Sequence, residues 1–282
     1  MKRFIQGDCL DKLYDINSDF DLILTDPPYN VGWKYSSEVS DNKKDYDEWC
    51  LEWAELCMKK LNENGILAII NYPENNNKLY TDLVRKGYKF VQELIWEYPT
   101  NVGQSQTKYT RNFRTVIIFS DSDKYTFNAE KQEYKNPTDK RIKERIEQGF
   151  APNHYATFEI NMCKNVSKDK KNNGINQLPR ELVEMLIKTY SNEGDFICDP
   201  FSGNHTIINI AEELKRNSIG IDINNYSQIL KKSNCSQHPD VKGIAHRNGG
   251  GEYTDDGHAL KSGVEEGGTT SQYPPVDTSS ND

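Results

Sequence analysis

Residues 178–222 read LPRELVEMLIKTYSNEGDFICDPFSGNHTIINIAEELKRNSIGID, and the order of the apolar runs in that stretch decides the fold. LPRELVEMLIKTYS has helical spacing with Pro179 near its start, and DFICDPF is a short apolar strand. TIINIAEELKRN returns to helical spacing from near Thr206, and SIGIDI is a strand again. The same alternation runs through the rest of the chain. RFIQ (3–6), DLILTD (21–26) and ILAIIN (66–71) read as strands, with CLDKLYDI, DYDEWCLEWAELCMKKLNENG and ENNNKLYTDLVRKG as helices among them and Gly65 as the stop of the second. YKFVQELIWEY and FRTVIIFSD add two strands joined by the polar loop PTNVGQSQTKYTRN. Strands separated by helices predict an α/β fold with a mostly parallel sheet covered on both faces. Such a sheet binds ligands at the carboxyl ends of its strands.

A chain of 282 residues has room for one large domain, and its core needs no disulfides. The six cysteines are scattered, with no CxxC pair and no histidine at zinc-ligand spacing, so they read as thiols of a reducing compartment and no metal site is expected. MKRFIQGDCL lacks the apolar stretch of a signal peptide and no run approaches a membrane span, which predicts a cytoplasmic protein with no membrane partner. The formal net charge is −8, but it is unevenly spread. Residues 240–282 carry eight acids, three bases and eight of the eighteen glycines, with almost no branched aliphatics, and read as a disordered tail after a domain spanning 1–239. Residues 108–190 carry sixteen Lys and Arg against eleven Asp and Glu. Within that basic stretch, residues 122–175 are Lys- and Asn-rich and weakly periodic, an insertion rather than a core element.

Two strands end alike, in LILTDPPYN and in FICDPFSGNHT. In the second, Phe201, Ser202 and Gly203 make a tight turn into a helix, and Asp222 ends the neighbouring strand SIGID. A turn of small residues lets a cofactor approach backbone, and an acid at the next strand end can take a ribose diol.

Taken with GDCLDKL, LNENGILAIIN and YTFNAEKQEYKNP, these motifs make residues 3–232 resemble the S-adenosylmethionine-dependent DNA amino-methyltransferases. The motif order is that of their β class, the catalytic DPPY preceding the FxGxG cofactor motif. The resemblance implies a Rossmann-like fold, S-adenosyl-L-methionine as cofactor and double-stranded DNA with a flipped target base as substrate. It also implies 122–175 as the target-recognition insertion and a possible cognate restriction enzyme as partner. It assigns Asp26, Pro27, Pro28 and Tyr29 to catalysis. Asp26 and the Pro27 carbonyl would accept the N–H bonds of an exocyclic amino group, whose lone pair is otherwise delocalised into the base, and Tyr29 would stack on the extruded ring. Pro27 and Pro28 stiffen the loop that holds them. Asp199, Phe201, Ser202 and Gly203 would line the methionine end of the cofactor, Asp222 its ribose and Asp8 its adenine. Asp8 reads equally as the N-cap of CLDKL.

The chain departs from the family at His205, where FxGxGT has glycine. A non-catalytic DNA-binding relative with a degenerate cofactor loop is therefore an alternative to the enzyme. Asp at the first motif position favours adenine N6 over cytosine N4, by analogy. Enzymes that methylate RNA or protein glutamine commonly begin the motif with Asn and carry the two motifs in the reverse order.

Overall fold

The computed structural model describes residues 1–32, 42–99, 106–128, 130–163 and 177–224. Among the described residues, eight strands form one sheet in the order β1-β8-β7-β2-β3-β5-β4-β6. In chain order the strands are β1 (Lys2–Gln6), β2 (Phe20–Thr25), β3 (Leu61–Asn71), β4 (Phe90–Glu97), β5 (Phe113–Phe119), β6 (Thr157–Glu159), β7 (Phe196–Asp199) and β8 (Asn217–Asp222). The helices are α1 (Cys9–Asp15), α2 (Tyr46–Lys59), α3 (Pro73–Arg85), α4 (Lys140–Glu147), α5 (Arg180–Tyr190) and α6 (Thr206–Glu213). β5 is antiparallel to both its neighbours, and every other pairing is parallel.

Successive side chains of a strand point to opposite faces, and the core divides accordingly. Leu22 and Leu24 of β2 pack with Leu182 and Leu186 of α5 and Ile207 and Ile210 of α6. Ile23, between them, packs on the other face with Leu13 of α1, Trp53 of α2 and Leu79 and Leu83 of α3. Both faces are therefore covered, as the unbroken apolar strands predict. The described cysteines are free thiols, and no described helix is long and apolar enough to cross a membrane.

Two expectations about elements need correction. Gly65 does not stop α2, which ends at Lys59; it lies inside β3. Phe20 faces Leu61 and Leu22 faces Ile66, so residues 62–65 bulge out of the ladder, and a Cβ on Gly65 would stand 2.7 Å from the Phe20 carbonyl oxygen. Glycine serves a close approach of two strands there. The stretch 122–175, described up to residue 163 apart from residue 129, is also not wholly outside the core. It supplies β6 on the sheet edge, and Ile160 is buried with its carbonyl accepting from Trp96 Nε1 at 2.7 Å. The expected tail lies outside the described residues.

Candidate active site

β2 and β7 are neighbours running in the same direction, so their two similar ends come side by side. Thr25, the last residue of β2, donates its hydroxyl to Asp199 Oδ1 at 3.0 Å, which ties one end to the other. The sequence could show both motifs but not this bond.

Beyond Thr25 the chain turns through Asp26–Asn30, and neighbouring elements hold the turn by its carbonyls. Tyr46, at the start of α2, donates its hydroxyl to the Pro28 carbonyl at 2.5 Å. Asn75 of α3 donates to the Tyr29 carbonyl at 3.1 Å and to Asn71 Oδ1 at 3.0 Å. The carbonyl between Asp26 and these two, that of Pro27, receives no hydrogen bond among the described residues. Asn30 takes a left-handed backbone conformation (φ 61°). Its side chain accepts from Lys43 N at 2.8 Å and donates to Lys43 O at 3.2 Å. Residues 33–41, between these two, lie outside the described residues.

The Tyr29 hydroxyl donates to Asp26 Oδ1. Above the Tyr29 ring, 4.6 Å from its centroid, lies the guanidinium of Arg114. Burial pushes the Asp26 carboxyl up, while Arg114 and the Tyr29 hydrogen bond pull it back. Burial also raises the Tyr29 phenol well above its ordinary value, so it remains a donor. Sequence motifs alone do not single out Arg114. The available signal was a cation inside the otherwise apolar run FRTVIIF, and β5, being antiparallel, delivers its first residues to the carboxyl edge of the parallel strands.

The second turn follows β7. Asp199, buried, accepts from the Phe201 amide at 3.2 Å as well as from Thr25. Burial pushes its carboxyl up to about 8, with Asp222 and Asp26 adding repulsion. Asp222 accepts from the Gly203 amide at 2.9 Å and the Asn224 amide at 2.8 Å. Its carbonyl accepts from Gly7 N at 2.9 Å, which brings the end of β1 alongside. Ser202 packs over Gly220 so closely that a Cβ on Gly220 would stand 2.4 Å from Ser202 Oγ. Phe201 lies edge-on to Trp53 and Trp49, at 5.2 and 5.5 Å between ring centroids. Asp8 accepts from Leu10 N at 2.9 Å and so caps α1, the alternative left open for it.

His205 takes the left-handed conformation (φ 62°, ψ 26°), which glycine adopts without strain. Its ring rests against Phe4 of β1, 4.3 Å between centroids. The imidazole is thus carried on the neighbouring strand while the backbone keeps a glycine-like turn.

Three carboxylates, on Asp26, Asp199 and Asp222, interact across adjacent strand ends. Such a donor set suits a ligand bearing positive charge. S-adenosyl-L-methionine, with a sulfonium and an ammonium group, fits that requirement, and the Phe201–Gly203 turn beside Asp222 suits its approach along backbone.

Residues 20–232 match the profile of the N6/N4 methyltransferase family, described as DNA methylase. The type II methyltransferase M1.MboII of Moraxella bovis is 29% identical over 241 residues, covering 79% of this chain and 92% of that protein. The DNA adenine methyltransferase YhdJ of Escherichia coli (strain K12) is 28% identical over 233 residues, 79% of each chain. Among solved structures, the M1.HpyAVI–SAM complex superposes with a TM-score of 0.56 at 21% identity, over 83% of this chain and all of that one. The cytosine-N4-specific PvuII DNA methyltransferase gives 0.61 at 17% identity, over 79% and 82%. The shared fold is the Rossmann-like one expected.

Proposed function

Since the chain belongs to the N6/N4 family of DNA methylases, we propose that it moves a methyl group from S-adenosyl-L-methionine to the exocyclic amino group of a base flipped out of double-stranded DNA, with adenine N6 as the favoured target. The observation that carries this reading is the Thr25–Asp199 bond, which joins a pair of amino-group acceptors to a cluster of carboxylates suited to a cationic cofactor.

In this reading the cofactor supplies an electrophilic methyl group, and the protein's part is to hold the nitrogen that attacks it. The Asp26 carboxylate and the unengaged Pro27 carbonyl accept the two amino N–H bonds. Positive charge builds on the nitrogen as it attacks, so both acceptors are worth more in the transition state than before it. Tyr46 and Asn75 hold the loop by its other carbonyls, so little reorganisation is needed at that moment. The base displaces the Tyr29 hydroxyl from Asp26 and stacks on the ring. Asp199, Phe201, Ser202 and Gly203 take the methionine end, Asp222 the ribose, and Asp8, besides capping α1, the adenine.

The DNA-facing surface is assigned to the insertion, 122–175. α4 buries none of its residues and carries Lys140, Lys143 and Arg145 on its surface, with Arg141 paired to Asp139 at 3.5 Å, so it offers exposed cations to phosphates. The second basic cluster, 164–171, lies outside the described residues. A restriction enzyme of the same recognition sequence is the partner this reading implies. Cytosine N4 is the second reading, since the clamp chemistry is common to both bases.

The test is Asp26→Ala. Methyl transfer to DNA should fall by about a hundred- to a thousandfold, the typical cost of removing one such stabilising group, and S-adenosyl-L-methionine should bind nearly as before, because the residue belongs to the base clamp. Sequencing host DNA for methylated bases after expression identifies the base. Lost cofactor affinity with transfer preserved at saturating cofactor would overturn the assignment.

A further inference from the structure

Arg114 is 3% exposed, and burying a guanidinium costs several kcal/mol unless its charge and donors are met. The other buried arginine among the described residues shows how a structural one is satisfied. Arg216 donates Nε to Ser191 Oγ at 3.1 Å, Nη1 to the Leu214 carbonyl at 2.6 Å and Nη2 to the Ser191 carbonyl at 2.8 Å. Arg114 differs. Its Nε has no hydrogen-bond partner, and its guanidinium carbon lies 4.6, 5.3, 5.4 and 5.9 Å from the ring centroids of Tyr29, Tyr72, Trp96 and Tyr98. Four π faces offset part of the charge, and a planar guanidinium stacks on them as an ammonium cannot. The remaining offset is the Asp26 carboxylate, reached through the Tyr29 hydroxyl.

We propose that Arg114 is a positioning residue of the methyl-transfer site: it fixes the Tyr29 ring and supplies the counter-charge that keeps Asp26 an acceptor for the amino group. The inference rests on the function proposed above. Without Arg114, only the Tyr29 hydrogen bond would oppose burial at Asp26, and the balance would move towards the protonated carboxyl, which offers one acceptor fewer. Around Asp26 the other titratable groups among the described residues are Tyr29 on its own loop, Asp199 at the end of β7, and, beside Arg114, Tyr72 before α3 and Tyr98 after β4. Both Tyr29 and Asp199 are displaced upward by burial.

The experiment follows Asp26 by carboxyl-carbon NMR in the free protein, its signal assigned with Asp26→Asn and so separated from Asp199, alongside the pH profile of methyl transfer. Arg114→Gln should raise the Asp26 midpoint by about one to three pH units, and the acidic limb of kcat/KM for DNA should move up by the same amount, with KM for cofactor unchanged. Arg114→Lys keeps the charge without the planar face. It should hold the midpoint near wild type while lowering kcat at every pH. An Asp26 midpoint unmoved in Arg114→Gln overturns the proposal, and if no neutral variant folds, wild-type kcat in Arg114→Lys overturns it. A wild-type chain that transfers no methyl group while the Asp26 midpoint shifts as stated would overturn the proposed function and leave the Arg114–Asp26 coupling standing.

Discussion

Asp199 titrates where it can be watched. With its carboxyl pushed up to about 8 by burial and by Asp222 and Asp26, it is largely neutral at pH 7 in the free protein. With the cofactor placed as proposed, its cationic groups would lower that value, so binding S-adenosyl-L-methionine near neutrality should release a proton. The sign follows from linkage: the bound form holds fewer protons, so affinity rises as pH rises towards 8 and levels off above it. The rise approaches tenfold per pH unit where one whole proton is released. Calorimetry in buffers of different ionisation enthalpy measures the proton directly. In Asp199→Asn the release should largely vanish and affinity should be flatter with pH. An unchanged release in that variant would place the titration on another group. The value of this residue was only half legible in the sequence: an acid at a strand end is visible, but the partners that displace its pKa come from β2 and β8, some 20 to 180 residues away in the chain.

At the scale of elements, the turn between β7 and α6 depends on one unusual backbone angle. His205 stands at φ 62° as the residue before α6, a region that costs a non-glycine residue of order 1 kcal/mol and a β-branched residue more. The imidazole recovers part of that by lying on Phe4. His205→Gly relieves the angle and forfeits the ring contact, so thermal stability should change by less than about 1 kcal/mol in either direction. His205→Val has no relief and loses the contact, so it should destabilise by about 2 kcal/mol or more. Thermal melts of the two variants check both numbers, and equal melting temperatures would show that the angle is not what the position selects. The departure from FxGxGT was readable as a departure. That the chain kept the glycine-like conformation and rested the ring on β1 was not, because Phe4 is two hundred residues away. Element identity was legible wherever apolar runs were long, as in β2, β3 and α5. It failed at Gly65, where a glycine after a helix reads as a stop but serves the approach of β3 to Phe20. Arg114 was hidden for a related reason: only the reversed direction of β5 brings it to the clamp.

For the whole molecule the question is how an acidic chain meets a polyanion. A net charge of −8 works against association, so contact must come from a local concentration of cations. α4 is such a place: none of its residues is buried, and Lys140, Lys143 and Arg145 are exposed along it. Because the helix contributes nothing to either core cluster, glutamine at these three positions should leave folding intact. If each cation displaces one condensed counterion from duplex DNA, removing all three lowers the slope of log affinity against log salt by about two to three. Affinity near 0.1 M salt should fall by about tenfold or more, with cofactor binding unchanged. Titrations of a duplex at several salt concentrations give both quantities. Partial loss of slope would divide the contacts between α4 and the second cluster at 164–171. If slope and affinity both stay at wild-type values, α4 does not touch phosphate, and the recognition surface must be sought elsewhere on the molecule, beginning with substitutions in the sequence between Asn30 and Lys43.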